Sequence, residues 1–280
     1  MSYYKIKSYA KINLSLNVVG KKNFLHKIES IVSFLTLYDE IFIKKITNKN
    51  HKIRFIGKFS PNIKSQNTIS RLLEIIDRKN LIKDKYQIIV KKNIPTQSGL
   101  GGGSMNAAFV LNFFIKNKIL KISNKEIINI VKLIGSDVIL GIYKKNLILT
   151  SNNKIKVFSI KKKYPVLVVK PNFGCSTKKI YSKFKKFTKV RLKNPSKNMF
   201  NIEFLKKMKN DLELIAIKEY PKLNSLKDYL EKLSYVEFVR MTGSGSAFVA
   251  YFKSYKKCKE AEKKVRKQFR NYWCKTSKTI

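Results

Sequence analysis

The sequence predicts an α+β fold of two domains, and three observations support this prediction. The chain has 280 residues, which is more than one typical domain needs. Apolar residues make up 44% of it and aromatic residues 12%, enough to build packed cores. Strand-like and helix-like patterns alternate in both halves of the chain. We expect an N-terminal domain over residues 1–155 and a C-terminal domain over residues 156–280.

In the first half, alternation of polar and apolar residues predicts strands, most clearly where Ile12, Leu14 and Leu16 fall on one face. The predicted strands are 10–19, 29–37, 40–45 and 86–90. Apolar residues at helical spacing, and a capping box of Ser123 with Glu126, predict helices. The predicted helices are 68–78, 105–117 and 123–134.

In the second half, β-branched and aromatic runs predict strands at 164–170, 238–241 and 248–252. Helical spacing predicts helices at 202–212, 222–233 and 256–269. The lysine-rich stretch 183–197 has no periodic pattern, and we expect it to be a surface loop.

The charge balance is extreme, with 61 basic and 17 acidic residues giving a net charge of +44. One interpretation is a polyanionic partner such as a nucleic acid or a membrane surface. The other is a compositional bias toward Lys, Asn and Ile. Only seven of the basic residues are Arg, the usual choice for bidentate phosphate and base recognition, which favours the bias. We therefore expect no specific nucleic-acid partner and no membrane partner.

Cysteine content and hydropathy bear on the compartment. The three cysteines, Cys175, Cys258 and Cys274, are odd in number and lack metal-site spacing. This pattern favours a reducing compartment. Because we find neither the apolar core of a signal peptide nor a run long enough to cross a bilayer, we expect a cytoplasmic protein.

A glycine-rich loop before the helix at 105–117 is the strongest chemical signal. Glycines leave backbone N–H groups uncovered, and at a helix start these groups favour an anion such as phosphate. A flexible linker is the alternative, but linkers do not usually open directly into an apolar helix. The loop lacks the ending of a Walker A motif and the spacing of a dinucleotide site. Its residues are Pro95, Thr96, Gln97, Ser98, Gly99, Leu100, Gly101, Gly102, Gly103, Ser104 and Met105.

Three segments, found in the expected order at 9–16, 95–105 and 241–247, together resemble the motifs of the GHMP kinases. The resemblance implies an N-terminal βαβ-type domain, a ferredoxin-like C-terminal domain and an active site in the cleft between them. It also implies that ATP and Mg²⁺ are used, with the loop 95–105 binding the ATP phosphates. Of the protein side chains, Ser104 is the candidate contact for the metal.

Within the superfamily, four features resemble the kinases of diphosphocytidyl-methylerythritol. They are the core 10–14 followed by His26, and the segments 99–108, 135–138 and 210–213. The resemblance implies phosphorylation of the 2-hydroxyl of that small molecule, in the non-mevalonate route to isoprenoids, by a monomer or homodimer. The alternatives are a GHMP kinase of the homoserine or mevalonate type and a basic nucleic-acid-binding protein.

The resemblance assigns the catalytic pair to Asp137 and Lys11. A carboxylate beside the hydroxyl can accept its proton, and an ammonium can offset negative charge in the transition state. Taken alone, an Asp that follows Gly at a helix start is more often a cap, and a strand Lys is unremarkable in this chain. Asn13, on the same strand face as Lys11, could hydrogen-bond the substrate.

The resemblance also assigns substrate contacts. His26 would contact the cytosine, and Tyr181 would stack on its other side. The alternative for His26 is an exposed loop histidine. The second glycine loop would close over the substrate phosphates, although a plain hairpin is the alternative. Its residues are Thr242, Gly243, Ser244 and Gly245.

The chain departs from the family pattern at several positions. Phe24-Leu25-His26 replaces the usual Gly-Tyr-His. Gln97 and Ser98 stand where glycines are common, Met105 where a second serine is usual, and Ile139 where the family tends to have proline. Lys11 and Asp137 are both present, so we expect an active enzyme.

Overall fold

A computed structural model describes residues 2–23, 25–61 and 63–280. The chain forms two compact units. The first contains the chain up to Lys11, together with Leu37–Thr96 and Gly101–Lys144. The second contains Ile12–Thr36, Gln97–Leu100 and Lys145–Ile280. Each unit is assembled from separate segments, and the domain boundary near residue 155 stays a prediction.

Two long strands, β1 (Tyr4–Lys22) and β2 (Leu25–Ile46), pair with each other and contribute to both units. In the first unit, β4 (Lys85–Lys91) pairs antiparallel with the end of β2, from Glu40 to Ile46. The strand β3 (Lys52–Ile56) pairs parallel with β4. Because β4 alternates between buried and partly exposed residues, one face of this sheet is left for helices to cover.

The described residues of the first unit form four helices: α1 (Thr68–Arg78), α2 (Gly102–Lys116), α3 (Asn124–Ile134) and α4 (Val138–Tyr143). The helix predicted at 68–78 is confirmed with the same bounds, and Asn67 caps it. The capping box of Ser123 and Glu126 opens α3 as predicted. The helix α2 is apolar nearly all round and is buried against the sheet core, which fixes the position of its first turn.

In the second unit, a four-stranded antiparallel sheet has the order β10-β7-β9-β8. Its strands are β7 (Pro165–Lys170), β8 (Val236–Met241), β9 (Phe248–Phe252) and β10 (Trp273–Lys278). The strand β5 (Asn146–Leu149) pairs with Ser30–Val32 of β2, and β6 (Ile155–Phe158) pairs with β5.

The helices of the second unit are α5 (Thr177–Ser182), α6 (Ile202–Lys207), α7 (Glu213–Glu219), α8 (Lys222–Glu231) and α9 (Tyr255–Gln268). A 3-10 helix, Lys197–Phe200, precedes α6. The lysine-rich loop ahead of it has almost no regular structure, as predicted. Among the described residues, no helix combines the length and the apolar character that crossing a membrane requires.

Several predicted elements are corrected by the structure. The strands predicted at 29–37 and 40–45 are one strand, β2. The helix predicted at 202–212 is wrong, because α6 ends at Lys207 and the chain then hydrogen-bonds to β1: Leu16 donates to the Lys209 carbonyl, and Asp211 donates to the Leu16 carbonyl. The elements that the pattern missed are short or lie at sheet edges, namely β3, β5, β6, β10, α4, α5 and α7.

Candidate active site

The first turn of α2 is built as an anion site within the first unit. Gly101 precedes the helix with φ of +68°, and none of the described side chains caps the helix start. Residues 101–104 are at least partly exposed, whereas Met105 is buried and donates its N–H to the Gly101 carbonyl. Backbone N–H groups at the start of a long helix, aided by its dipole, can therefore meet a phosphate here.

Thr68 fixes the same turn from outside. Its hydroxyl donates to the Gly103 carbonyl at 2.6 Å, which ties the start of α1 to the start of α2. This contact of Thr68 was not predicted from the sequence. The sequence does mark Thr68 as a candidate, because Asn67 and Thr68 open a helix and polar side chains concentrate at helix starts.

Lys11 and Asp137 are brought together in the first unit. The Lys11 ammonium lies 3.1 Å from Oδ2 of Asp137, and the two side chains are 3% and 36% exposed. Asp137 occupies the N-cap position of α4, but its carboxylate makes no capping hydrogen bond to the described part of the chain. The capping interpretation of Asp137 is therefore not what the structure shows.

The phosphate loop passes directly over Lys11. A Cβ added at Gly101 would lie 2.8 Å from Cγ and 2.9 Å from Cε of Lys11. Carbon atoms normally approach no closer than about 3.5 Å. Only glycine lets the loop, the ammonium and Asp137 share this small volume. The geometry thus places a half-exposed carboxylate and a buried cation beside the first turn of α2.

The other part of the loop, Gln97–Leu100, belongs to the second unit and meets the second glycine loop. The carbonyls of Gln97 and Ser98 accept the N–H groups of Ser246 and Ala247 at 3.3 and 3.1 Å. A Cβ at Gly99 would fall 1.9 Å from the Thr242 carbonyl oxygen, and Gly99 has φ of +75°. Glycine is the residue that fits at this position.

Asn13 organises the second glycine loop. Its N–H donates to the Thr242 hydroxyl at 3.1 Å, and its side-chain oxygen accepts the N–H of Gly243 at 3.0 Å. Its amide nitrogen donates to the Ser30 hydroxyl at 2.8 Å. Both ends of this buried amide thus bind within the protein, which supports a role in holding the loop. The predicted substrate hydrogen bond of Asn13 stays a prediction.

Asn210 fastens the second glycine loop from another direction. Its amide donates to the carbonyls of Met241 and Gly243, both at 2.8 Å. Ser244 is partly exposed and shares a hydrogen bond of 2.7 Å with Thr177. The segment 210–213, noted in the sequence for its resemblance alone, is therefore structural support for this loop.

His26 and Tyr181 also lie together, in the second unit, and Phe24 lies outside the described residues. The two rings are in direct contact, with centroids 5.0 Å apart and a tilt of 42°. A base between them would have to separate them, so the predicted stacking of cytosine on both sides stays a prediction. Phe184 and Phe187 contact His26 as well. Burial, and secondarily the charge of Lys21, lowers the pKa of His26.

Comparison with known proteins assigns the chain to a family. Residues 67–145 match the GHMP kinases N terminal domain, and residues 191–271 match the GHMP kinases C terminal family. A 4-diphosphocytidyl-2-C-methyl-D-erythritol kinase from Pelagibacter ubique (strain HTCC1062) is 53% identical over 100% of both chains. One from Clostridium tetani (strain Massachusetts / E88) is 32% identical over 99% of this chain and 100% of the relative. This chain belongs to the 4-diphosphocytidyl-2-C-methyl-D-erythritol kinase family of GHMP kinases.

Solved structures support the GHMP fold. A crystal structure of 4-(cytidine 5'-diphospho)-2C-methyl-D-erythritol kinase matches with a TM-score of 0.78 at 20% identity, covering 98% of this chain and 99% of the other. Homoserine kinase from Cytophaga hutchinsonii ATCC 33406 matches with a TM-score of 0.72 at 14% identity, covering 100% of this chain and 95% of the other. At these identities the likeness shows the fold alone, and it confirms the predicted two-domain α+β GHMP fold class.

Two departures from the family pattern have a structural explanation in this GHMP kinase. Met105 is fully buried, and a Cβ at Gly141 would lie 3.0 Å from its sulfur, so Met105 packs α2 against α4. Gln97 adopts φ of +50°, and its side chain lies against Gly174. Met105 is thus a packing residue, whereas Gln97 contacts Gly174 and stays exposed.

Proposed function

We propose that this kinase transfers the γ-phosphoryl group of ATP to the 2-hydroxyl of 4-diphosphocytidyl-2-C-methyl-D-erythritol, giving the 2-phosphate and ADP. The observation that carries the mechanism is the Lys11–Asp137 pair at 3.1 Å beside the first turn of α2. Together with the family assignment, this arrangement supports ATP-dependent phosphorylation of an alcohol.

In the proposed step, the substrate oxygen attacks the γ-phosphorus while the bond from that phosphorus to the bridging oxygen of ADP breaks. The hydroxyl proton moves to the Asp137 carboxylate, which is exposed enough to receive it. The Lys11 ammonium holds Oδ2 of that carboxylate in place. It also offsets the negative charge that accumulates on the phosphoryl oxygens.

The nucleotide phosphates are proposed to bind at residues 101–104, where backbone donors open α2. Pro95 and Met105 are buried and shape the loop, whereas Thr96 and Gln97 are exposed and available to the nucleotide. Ser98 is buried and accepts the N–H of Leu100 through its hydroxyl, so it acts within the loop.

The residues present fit a magnesium ion that arrives with the nucleotide. Mg²⁺ keeps several waters and binds through phosphate oxygens and one or two protein oxygens. The Ser104 hydroxyl and the Asp137 carboxylate are partly exposed oxygen donors in the first unit. When bound, the ion would neutralise charge on the β- and γ-phosphates.

For the substrate, we propose that His26 and Tyr181 receive the cytosine and that the loop 242–245 approaches its phosphates. The lowered pKa of His26 keeps the ring neutral near pH 7, so that it can both donate and accept hydrogen bonds to a base edge. We further propose cytoplasmic location, a monomer or homodimer, the domain boundary near residue 155, and no specific nucleic-acid partner.

The test is a coupled ADP-release assay with ATP and Mg²⁺, with the cytidyl substrate, homoserine or mevalonate as acceptor. ADP release that needs the cytidyl substrate, and falls roughly 100- to 10,000-fold in Asp137→Asn, is the expected result, in line with the loss of a positioned base. Folded protein that prefers homoserine or mevalonate would reject the substrate assignment. Full activity of Asp137→Asn would reject the base.

A further inference from the structure

A buried ion pair lies behind the phosphate loop, between Lys92 and Asp39. Lys92 is 3% exposed and Asp39 is fully buried, and their charged groups are in hydrogen-bonding contact. The second carboxylate oxygen of Asp39 accepts the N–H groups of Asn93 and Ile94 at 2.7 and 2.8 Å. These residues lead directly into the phosphate loop, so the pair fixes where the loop begins.

The ammonium of Lys92 points at the start of α2. A Cβ built on Gly102, the first residue of the helix, would lie 3.2 Å from Nζ of Lys92. A helix start already carries roughly half a positive charge. A full cation buried against it is electrostatically unfavourable unless an anion binds there. Asp39 balances the cation, but its carboxylate is turned toward the backbone of residues 93 and 94.

Fold stability alone does not explain this pair. Apolar side chains of similar volume in place of a buried ion pair are often neutral or stabilising. The alternation of β4 places Tyr86, Ile88 and Val90 in the core, and Lys92 continues the same phase. The position is thus one where an apolar residue would fit, and it holds a cation next to the proposed phosphate site.

We infer that Lys92 is a positioning residue for ATP: its ammonium adds positive potential beneath the first turn of α2, and Asp39 holds both the ammonium and the loop in register. This inference rests on the proposed function, since it assumes that nucleotide phosphates bind at residues 101–104. It assigns Lys92 no contact with the cytidyl substrate.

Three variants separate charge from structure. Lys92→Met leaves the Asp39 carboxylate buried without its partner, which destabilises the fold and adds negative potential beneath the loop. Asp39→Asn with Lys92→Met removes both charges, while the new amide oxygen can still accept the N–H groups of Asn93 and Ile94. The matched control is Lys45→Met, which breaks the exposed pair of Lys45 with Asp84 in the same unit.

Calorimetric titration with AMP, ADP and ATP, and separately with the cytidyl substrate, gives the readout, with thermal melts to establish folding. We expect the double variant to bind ATP and ADP about 10-fold more weakly, with a smaller change for AMP and an unchanged affinity for the cytidyl substrate. Lys92→Met should lose more affinity for ATP and ADP than the double variant does, and Lys45→Met should bind both nucleotides as the unmodified protein does. The kcat at saturating ATP should fall less than the affinity does.

A folded double variant that binds ATP and ADP within two-fold of the unmodified protein would overturn the inference. So would an equal loss for AMP, ATP and the cytidyl substrate, which would indicate a purely structural role. If Lys92→Met does not fold, the double variant carries the test. Failure of the proposed function looks different: the unmodified protein would bind ATP normally but would not phosphorylate the cytidyl substrate.

Discussion

Gly101→Ala perturbs the proposed catalytic pair without removing either member. The added methyl group would stand 2.8 Å from Cγ and 2.9 Å from Cε of Lys11, against an ordinary separation of about 3.5–4 Å. Lys11 is only 3% exposed, so it has no solvent into which it can swing. Its ammonium must therefore move by about 1 Å relative to Asp137, a displacement that can cost about 100-fold in rate.

The backbone adds a second effect. Gly101 has φ of +68°, where an alanine is destabilised by roughly 1–2 kcal/mol. We therefore expect Gly101→Ala to lower kcat about 100-fold and the free energy of unfolding by about 1–2 kcal/mol. The coupled ADP-release assay and urea denaturation measure the two quantities on the same protein.

The matched control is Gly135→Ala, two residues before Asp137. Its φ of 167° is extended backbone, and its added Cβ would meet nothing closer than a Val138 methyl at 3.9 Å. The kcat of Gly135→Ala should therefore stay within a few-fold of the kcat of the unmodified protein. A Gly101→Ala enzyme with unchanged kcat would show that the position of Lys11 does not limit phosphoryl transfer, and the reasoning from the 3.1 Å pair would be refuted.

Two further predictions concern the scaffold. Glu29 is buried and accepts the backbone N–H groups of Arg191 and Leu192 in the lysine-rich loop. Glu29→Gln should therefore make that loop several-fold more sensitive to trypsin. Unchanged cleavage would contradict the anchoring role of Glu29. Burial lowers the pKa of His51, whose Nδ1 accepts the Tyr86 N–H. As the pH falls below about 6.5, His51 is therefore protonated in the unfolded chain before it is protonated in the folded protein, and the free energy of unfolding decreases. Between pH 6.5 and about pH 5, this decrease should be smaller in His51→Gln than in the unmodified protein.

Much of the fold could be predicted because its periodic segments are long. The alternation at 10–19 identified β1, and the capping box identified the start of α3. The predicted strands 29–37 and 40–45 left a gap at Asp39, a residue of β2 whose environment the local pattern does not show. Its carboxylate accepts backbone N–H groups from the segment after β4, a contact between residues distant in sequence that no local pattern contains.

The candidate site also contains features that a local pattern shows and features that depend on contacts between distant residues. The glycine loop could be predicted as an anion site from the sequence alone, because uncovered N–H groups at a helix start favour an anion. The role of Asn13 in holding the second glycine loop could not be predicted, because its partners, Ser30 and Gly243, come from distant parts of the chain. The ring contact of His26 with Tyr181 likewise depends on packing that brings α5 to the start of β2.

Asp137 shows how a single measurement can separate two interpretations that the sequence leaves open. If its carboxylate capped α4, Asp137→Asn would keep an acceptor at the N-cap, and alanine would destabilise the helix by about 1 kcal/mol. The carboxylate makes no capping hydrogen bond to the described residues and pairs with Lys11 instead. Asp137→Asn, which keeps an acceptor at the N-cap but not a base, should therefore abolish turnover in the ADP-release assay. An Asn variant that stays active, beside an Ala variant that unfolds more readily, would favour the cap.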